Sequence, residues 1–266
     1  MRPRDIEISI FGNWKMNYGR VNSVNLARNI ESFLSLVSSS LEVGVCPTFT
    51  SLYPVYKALG VGSKLRLCAQ NCHSEEAGSF TGEIAANMLA ETCQYVLLGH
   101  SERRTVDTSE TANLNNKIAM VVKNDMVPIL CVGEEDIGGG VDGAIDVVVG
   151  QVMAALEVIG KTDRVVIAYE PVWAIGSGRG ALPHVVKGRL DAIRERLVRQ
   201  RGPEFGLSTP ILYGGSVSEI NAVQYIEAGG ADGLLVGAAS LDYKRFTGIL
   251  SKVSELILNT ERSCEE

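Results

Sequence analysis

Short apolar runs alternate with longer stretches of helical spacing along nearly the whole chain. The runs Ile6–Trp14, Leu41–Phe49, Leu65–Asn71, Tyr95–His100, Val127–Glu134, Arg164–Trp173, Pro210–Gly215 and Gly233–Ala239 are rich in Val, Ile and Leu. That is the composition of parallel strands covered on both faces. Helical periodicity occupies Val21–Val37, Glu83–Cys93, Thr111–Lys123, Ala144–Ile159, Pro183–Arg199 and Glu219–Ala228, with a last helix near Tyr243–Leu258. Strands start about every 30 residues, the size of a βαβ unit. No Pro/Ser-rich linker or break in composition divides the chain, and the most linker-like stretch, Gly138–Gly140, reads as a loop before a helix. The pattern predicts an α/β fold in which residues 1–266 form a single (β/α)8 barrel domain, in preference to a doubly wound sheet.

Composition narrows the function classes. Of 266 residues, 45% are apolar and 21% charged, which disfavours disorder, collagen and coiled coil. Lys and Arg number 25 against 31 Asp and Glu, a net charge of −6. A chain of that sign without a basic run is a poor fit to nucleic acid or an anionic membrane, so any anion it binds must be held by local features. No apolar run reaches the roughly 18 residues of a spanning helix, and the start MRPRDIEISIF has an early acid and no signal-peptide core. Six scattered cysteines without a CxxC pair read as free thiols in a reducing compartment, and the expected location is cytoplasmic. Cys68, Cys72 and His73 lack a fourth ligand at zinc-like spacing, so no metal is expected.

In a (β/α)8 barrel, chemistry sits where strands end and βα loops begin. Strand one ends Asn13-Trp14-Lys15, and alternation puts Asn13 and Lys15 on one face. A lone lysine there is ordinarily a solvated strand cap. In strand four Val96, Leu98 and His100 share a face, read as an inward stripe that His100 continues. The following Ser-Glu-Arg-Arg reads as a helix start, whose positive end favours neutral imidazole. Glu102 can pair with Lys15 or Arg103. In strand six Glu170 follows Ala168 on one face after an apolar run, a costly place for a carboxylate unless it is used or paired. Pro171 keeps Glu170 extended. The glycines of Ala174–Gly178 suit either a plain turn or an anion cradle. Gly214-Gly215-Ser216 and Gly237-Ala238 close strands seven and eight, where such barrels often hold phosphate.

GNWKMN (12–17), CPTFTSL (46–52), AQN (69–71), FTGE (80–83), VLLGHSERR (96–104), CVGE (131–134), YEPVWAIGSG (169–178), YGGSV (213–217) and DGLLVGAAS (232–240) together resemble the triosephosphate isomerase family, in order and over nearly the whole chain. The resemblance implies a TIM barrel that interconverts dihydroxyacetone phosphate and D-glyceraldehyde 3-phosphate in glycolysis and gluconeogenesis, without cofactor. It implies that Glu170 is the base, His100 the neutral electrophile, Lys15 and Asn13 the stabilisers of negative charge, and Glu102 their support. Cys131 matches a packing cysteine near the base. Gly176, Ser216, Gly237 and Ala238 match phosphate-binding positions, and the loop 171–181 matches one that closes over the site. A homodimer is implied as well, the loop around 73–77 inserting into the partner.

The chain departs from the family pattern in places. Ala238 replaces a second glycine, and a left-handed backbone there would cost about 1–2 kcal/mol. Ser177, Arg179 and Gly180 replace Thr, Lys and Thr. Residues 135–146 lack the Arg-Glu-Ala-Gly pattern, and 73–77 are unusual. These changes motivate two other readings: an isomerase of a four-carbon sugar phosphate, and a non-catalytic binding or adhesion barrel. Retention of Asn13, Lys15, His100 and Glu170 together argues against the second.

Overall fold

The apolar runs form β1 (Ile8–Asn13), β2 (Leu41–Cys46), β3 (Arg66–Ala69), β4 (Tyr95–Leu98), β5 (Val127–Val132), β6 (Val166–Tyr169), β7 (Ile211–Tyr213) and β8 (Gly233–Val236). This is seen in a computed structural model that describes residues 7–135, 140–160, 163–174 and 180–265. The strands are parallel, pair in chain order, and close when β8 pairs with β1. Parallel pairing demands long crossovers. These carry α1 (Arg20–Phe33), α2 (Phe49–Leu59), α3 (Ala86–Leu89), α4 (Ser101–Val106), α5 (Glu110–Lys123), α6 (Gly140–Ala155), α7 (Pro183–Arg201), α8 (Pro203–Ser208) and α9 (Ala222–Glu227). The last helix, α10 (Tyr243–Glu265), follows β8.

Strand alternation divides the core in two. Phe11, Cys68, Tyr95, Leu97, Ile129 and Leu235 fill the barrel, whereas Ile10, Val43, Val96, Leu98 and Ile167 face outward against helix residues such as Ile30, Val55 and Ile118. Each large aliphatic side chain so buried contributes about 1.5–3 kcal/mol.

The strands are shorter than the apolar runs. β2 stops at Cys46 because Pro47 has no N–H for the ladder and Phe49 already starts α2, a helix the periodicity did not single out. β6 stops at Tyr169, and Val172–Ala174 form a 3-10 turn beyond Pro171. The helix expected over 83–93 shrinks to α3. The linker-like glycines at 138 and 139 lie outside the described residues, and Gly140 opens α6.

At the N-terminal end of the barrel, Glu42 accepts hydrogen bonds from Ser9 Oγ (3.1 Å) and Tyr95 Oη (2.8 Å), with Arg66 Nε 3.6 Å away. Burial, and then the Glu42 carboxylate, push the Tyr95 phenol above its ordinary range. Cys46, Cys68, Cys72, Cys93 and Cys131 are free and buried. Burial raises Cys72 to about 12 and Cys93 to about 11. Among the described residues no helix is long and apolar enough to cross a membrane, and no group of three or more His, Cys, Asp or Glu is arranged to hold a metal.

Candidate active site

His100 reaches the barrel mouth by a different route from the one strand alternation suggests. Tyr95 and Leu97 are the inward residues of β4, and Val96 and Leu98 face the helices. The expected inward stripe of Val96, Leu98 and His100 is therefore corrected. The strand ends at Leu98, and Gly99 at φ +69° turns the chain in a left-handed conformation that favours glycine. That turn is held from both sides. Glu110 Oε1 accepts the Gly99 N–H at 3.1 Å, and Arg104 Nε donates to the Gly99 carbonyl at 2.8 Å. Glu110 is fully buried and ion-paired with Lys117, which also donates to Asn71 Oδ1 at 3.2 Å. Glu110, Lys117 and Arg104 were not picked out from the sequence, where nothing ties a carboxylate on a helix to the N–H of a distant glycine.

The first turn of α4 has backbone N–H groups with no partner in the helix, and two of them serve the site. Glu102 N–H donates to His100 Nδ1 at 3.2 Å. Ser101 N–H donates to Glu170 Oε2 at 3.2 Å. An imidazole nitrogen that accepts a hydrogen bond carries no proton. The ring proton therefore sits on His100 Nε2, which lies 3.0 Å from Glu170 Oε1. His100 and Glu170 are both buried, and Glu170 keeps the inward parity of Val166 and Ala168 that its strand predicts.

Lys15 lies just past the end of β1, with φ +50°. Its N–H donates to Asn13 Oδ1 at 3.0 Å, and Gln70 Nε2 holds its carbonyl at 2.8 Å. Its ammonium pairs with Glu102 Oε1 at 2.7 Å, so of the two partners open to Glu102 it is Lys15 that is used. Trp14, between Asn13 and Lys15, is buried in the outer core. Beneath Glu170, burial and then the carboxylate itself push the Cys131 thiol well up. Beside Glu170, the buried Glu134 accepts from Tyr169 Oη (3.0 Å), Arg189 Nε (3.2 Å) and Trp173 Nε1 (3.4 Å), fixing both flanks of the Glu170-Pro171 turn.

Asn13, Lys15, His100, Glu102 and Glu170 line one cavity of about 380 Å³. Its opposite wall is built from the loops after β7 and β8 and includes Ser216, Gly237 and Ala238. Lys15 reaches across toward that wall: a Cβ on Gly237 would lie 3.9 Å from Lys15 Cε. Ala238 begins a 3-10 turn, Ala238–Leu241, and is not among the positive-φ residues. Alanine therefore stands there without backbone strain. Arg245, near the start of α10, also lines this wall, with Glu219 Oε2 3.8 Å from its Nε. Along the chain it is one more exposed cation of an amphipathic helix, which is why sequence reasoning passed over it. Gly176, expected at the phosphate, and the rest of 175–179 lie outside the described residues.

The arrangement brings a carboxylate, an imidazole and an ammonium together opposite a glycine-bearing wall. The family model for triosephosphate isomerase matches residues 8–253. The triosephosphate isomerase of Alkaliphilus oremlandii is 39% identical over 245 residues, covering 91% of this chain and 98% of that protein. Those of Chlorobaculum tepidum (41% over 242 residues, 90% and 98% covered) and Aquifex aeolicus (41% over 245 residues, 91% and 97% covered) are similar to the same extent. The chain belongs to the triosephosphate isomerase family, and its activity is triosephosphate isomerisation.

Proposed function

We propose that Glu170 carries a proton between the two adjacent carbons that distinguish dihydroxyacetone phosphate from D-glyceraldehyde 3-phosphate. A C–H beside a carbonyl is a weak acid, so the base needs the developing oxyanion to be stabilised as the proton leaves. When Glu170 takes the proton, the electron pair of the C–H bond moves onto the carbonyl oxygen through an enediolate. His100 Nε2–H donates to the enediolate oxygens, Lys15 supplies positive charge, and Asn13 adds a hydrogen bond. Glu102 holds the Lys15 ammonium with its carboxylate and fixes the His100 tautomer with its N–H. His100 passes the hydroxyl proton from one enediolate oxygen to the other, and return of the carbon-bound proton from Glu170 to the neighbouring carbon completes the isomerisation. No cofactor enters these steps.

The observation that carries this reading is the 3.0 Å contact between Glu170 Oε1 and His100 Nε2, with Nδ1 already occupied by the Glu102 N–H. At that separation no atom fits between the two groups, so the substrate sits in the cavity that both of them line, with its carbon toward Glu170 and its oxygens toward His100 Nε2. Ser216, Gly237 and Ala238 hold the phosphate through backbone N–H groups, and Arg245 adds charge on the same wall. Distant phosphate contacts of this kind turn binding energy into orientation of the reacting carbons.

The four-carbon reading is not favoured, because the family match and the relatives are triosephosphate isomerases and Ala238 is unstrained. A coupled assay in both directions, with triose and tetrose phosphates compared by kcat/KM, tests the substrate. A strong tetrose preference overturns it, and turnover equal to that of Glu170→Ala points to a non-catalytic barrel.

The chain works as a homodimer in this reading, as one barrel domain over 1–266, in the cytoplasm. Met16, next to Lys15, is 94% exposed, and Tyr53 and Met88 are also exposed. Exposed apolar side chains of that size beside a site suit cover by a second copy. Light scattering across a dilution series reads the oligomeric state, and a monomer at all concentrations contradicts the dimer.

A further inference from the structure

Tyr225 belongs to α9 and touches none of the groups assigned to proton transfer. It is nevertheless buried, and its hydroxyl ends on the segment that leads into α7. That hydroxyl donates to the Ala181 carbonyl at 3.0 Å. The Ala181 N–H in turn donates to the Tyr213 hydroxyl at 3.1 Å. The two phenol rings stack, centroids 4.0 Å apart and planes 27° from parallel. Both polar backbone groups of one residue are thus held by two stacked tyrosines, one at the end of β7 and one on α9.

The residue before Ala181 explains what this arrangement demands. A Cβ built on Gly180 would fall inside the Tyr225 hydroxyl, and would come within 3.1 Å of the Ser216 carbonyl oxygen. Gly180 has no left-handed φ. Glycine is required here by space, not by backbone conformation, and Tyr225 takes up that space. The backbone at 180 consequently runs close beside the Ser216 carbonyl, and Ser216 lines the wall of the cavity opposite Glu170. Tyr225 and Gly180 are therefore one packing decision: a phenol where a side chain at 180 would otherwise go.

We propose that Tyr225 and Gly180 are an interdependent positioning pair that sets the Ser216 backbone, and through it the grip of the site on the substrate phosphate. The proposal rests on the assignment of Ser216 to the phosphate wall. Tyr225→Phe keeps the stacked ring and removes one donor. It should raise KM for dihydroxyacetone phosphate and Ki for inorganic phosphate about three- to tenfold, with kcat changed less than about twofold. Gly180→Ala should lower kcat/KM about tenfold or more beside Tyr225, but less than about twofold in a Tyr225→Leu background, where the hydroxyl is gone.

Circular dichroism and Tm confirm that each variant is folded before kinetics are read. A Tyr225→Phe enzyme with wild-type KM and Ki, whatever its Tm, overturns the positioning role. An equal cost of Gly180→Ala in both backgrounds overturns the interdependence. Absence of competition by inorganic phosphate in the unaltered protein breaks the phosphate-wall assignment itself, which distinguishes that failure from the other two.

Discussion

At the N-terminal end of the barrel Glu42 accepts from Ser9 and Tyr95 and faces Arg66. At the C-terminal end Glu170 accepts from the Ser101 N–H, lies 3.0 Å from His100 Nε2 and faces a cavity of about 380 Å³. The two carboxylates share a residue type, a place inside the barrel and a comparable number of partners. The difference lies in the partners. A tyrosine, a serine and an arginine satisfy Glu42 and leave it nothing to do. Glu170 is held by one backbone donor and touches a histidine that is itself oriented from behind, whose Nε2–H can turn to a substrate. Burial and hydrogen bonding alone do not mark a catalytic carboxylate. Reactivity requires a partner that can also act on the substrate, and room for that substrate.

Parallel substitutions at the two ends separate these roles. Glu170→Gln keeps the size of the side chain and removes the base. It should cut kcat by about 10²–10⁴-fold and leave the denaturant midpoint close to wild type. Near-normal turnover would mean that the proton is taken by another group. Glu42→Gln should do the opposite. It weakens a buried network at the inactive end, so unfolding free energy should fall by about 1–3 kcal/mol, with kcat/KM at 25 °C unchanged. A loss of turnover in folded Glu42→Gln protein would show that the two ends are coupled. A smaller effect is expected at the mouth itself, on the wall opposite Glu170. Arg245→Gln should raise KM about three- to tenfold at low ionic strength, with less effect at high salt because the residue is half-exposed. Lys187→Gln, on α7 and paired with Asp191, serves as the control for removing a surface charge.

Much of this contrast was legible in the chain and some of it was not. The barrel followed from apolar runs spaced by helical ones, because a parallel strand covered on both faces writes its burial directly into composition. Asn13 and Glu170 followed from alternation, since each continues the inward parity of a regular strand. His100 was found for the wrong reason: alternation fails once Gly99 turns the chain, and a single glycine before a histidine gives no period to read. Glu42 carries no mark in the chain, because its partners Ser9 and Tyr95 are distant in sequence. Glu110, Gln70 and Arg245 were missed because their roles depend on partners far along the chain, Gly99 for one, the Lys15 carbonyl for another, the pocket wall for the third. Tyr225 and Gly180 were hidden in the same way, although the glycine itself stood out as a departure from the family pattern.

The smallest effect concerns pH and isolates the inactive end further. The Tyr95 phenol is held above its ordinary range, first by burial and then by Glu42. An unfolded tyrosine ionises near pH 10, so above that pH the folded chain retains a proton that the unfolded chain has lost. Stability from this group is full below about pH 10 and falls as pH rises further, by up to about 1.4 kcal/mol per pH unit while only the unfolded form ionises. Buried Cys93 and Cys72, raised to about 11 and about 12, add to the same alkaline loss, starting near the ordinary thiol value of 9. Tyr95→Phe removes the phenol from this balance. At neutral pH the variant should be less stable than wild type, because Glu42 loses a donor. The gap should then narrow between pH 10 and pH 11, where wild type alone bears the cost of the buried phenol. Denaturant melts at pH 8, 10 and 11 measure it. A gap that stays constant across that range would mean that Tyr95 ionises in the folded barrel as readily as in the open chain, and that the N-terminal end is wetter than its hydrogen bonds imply.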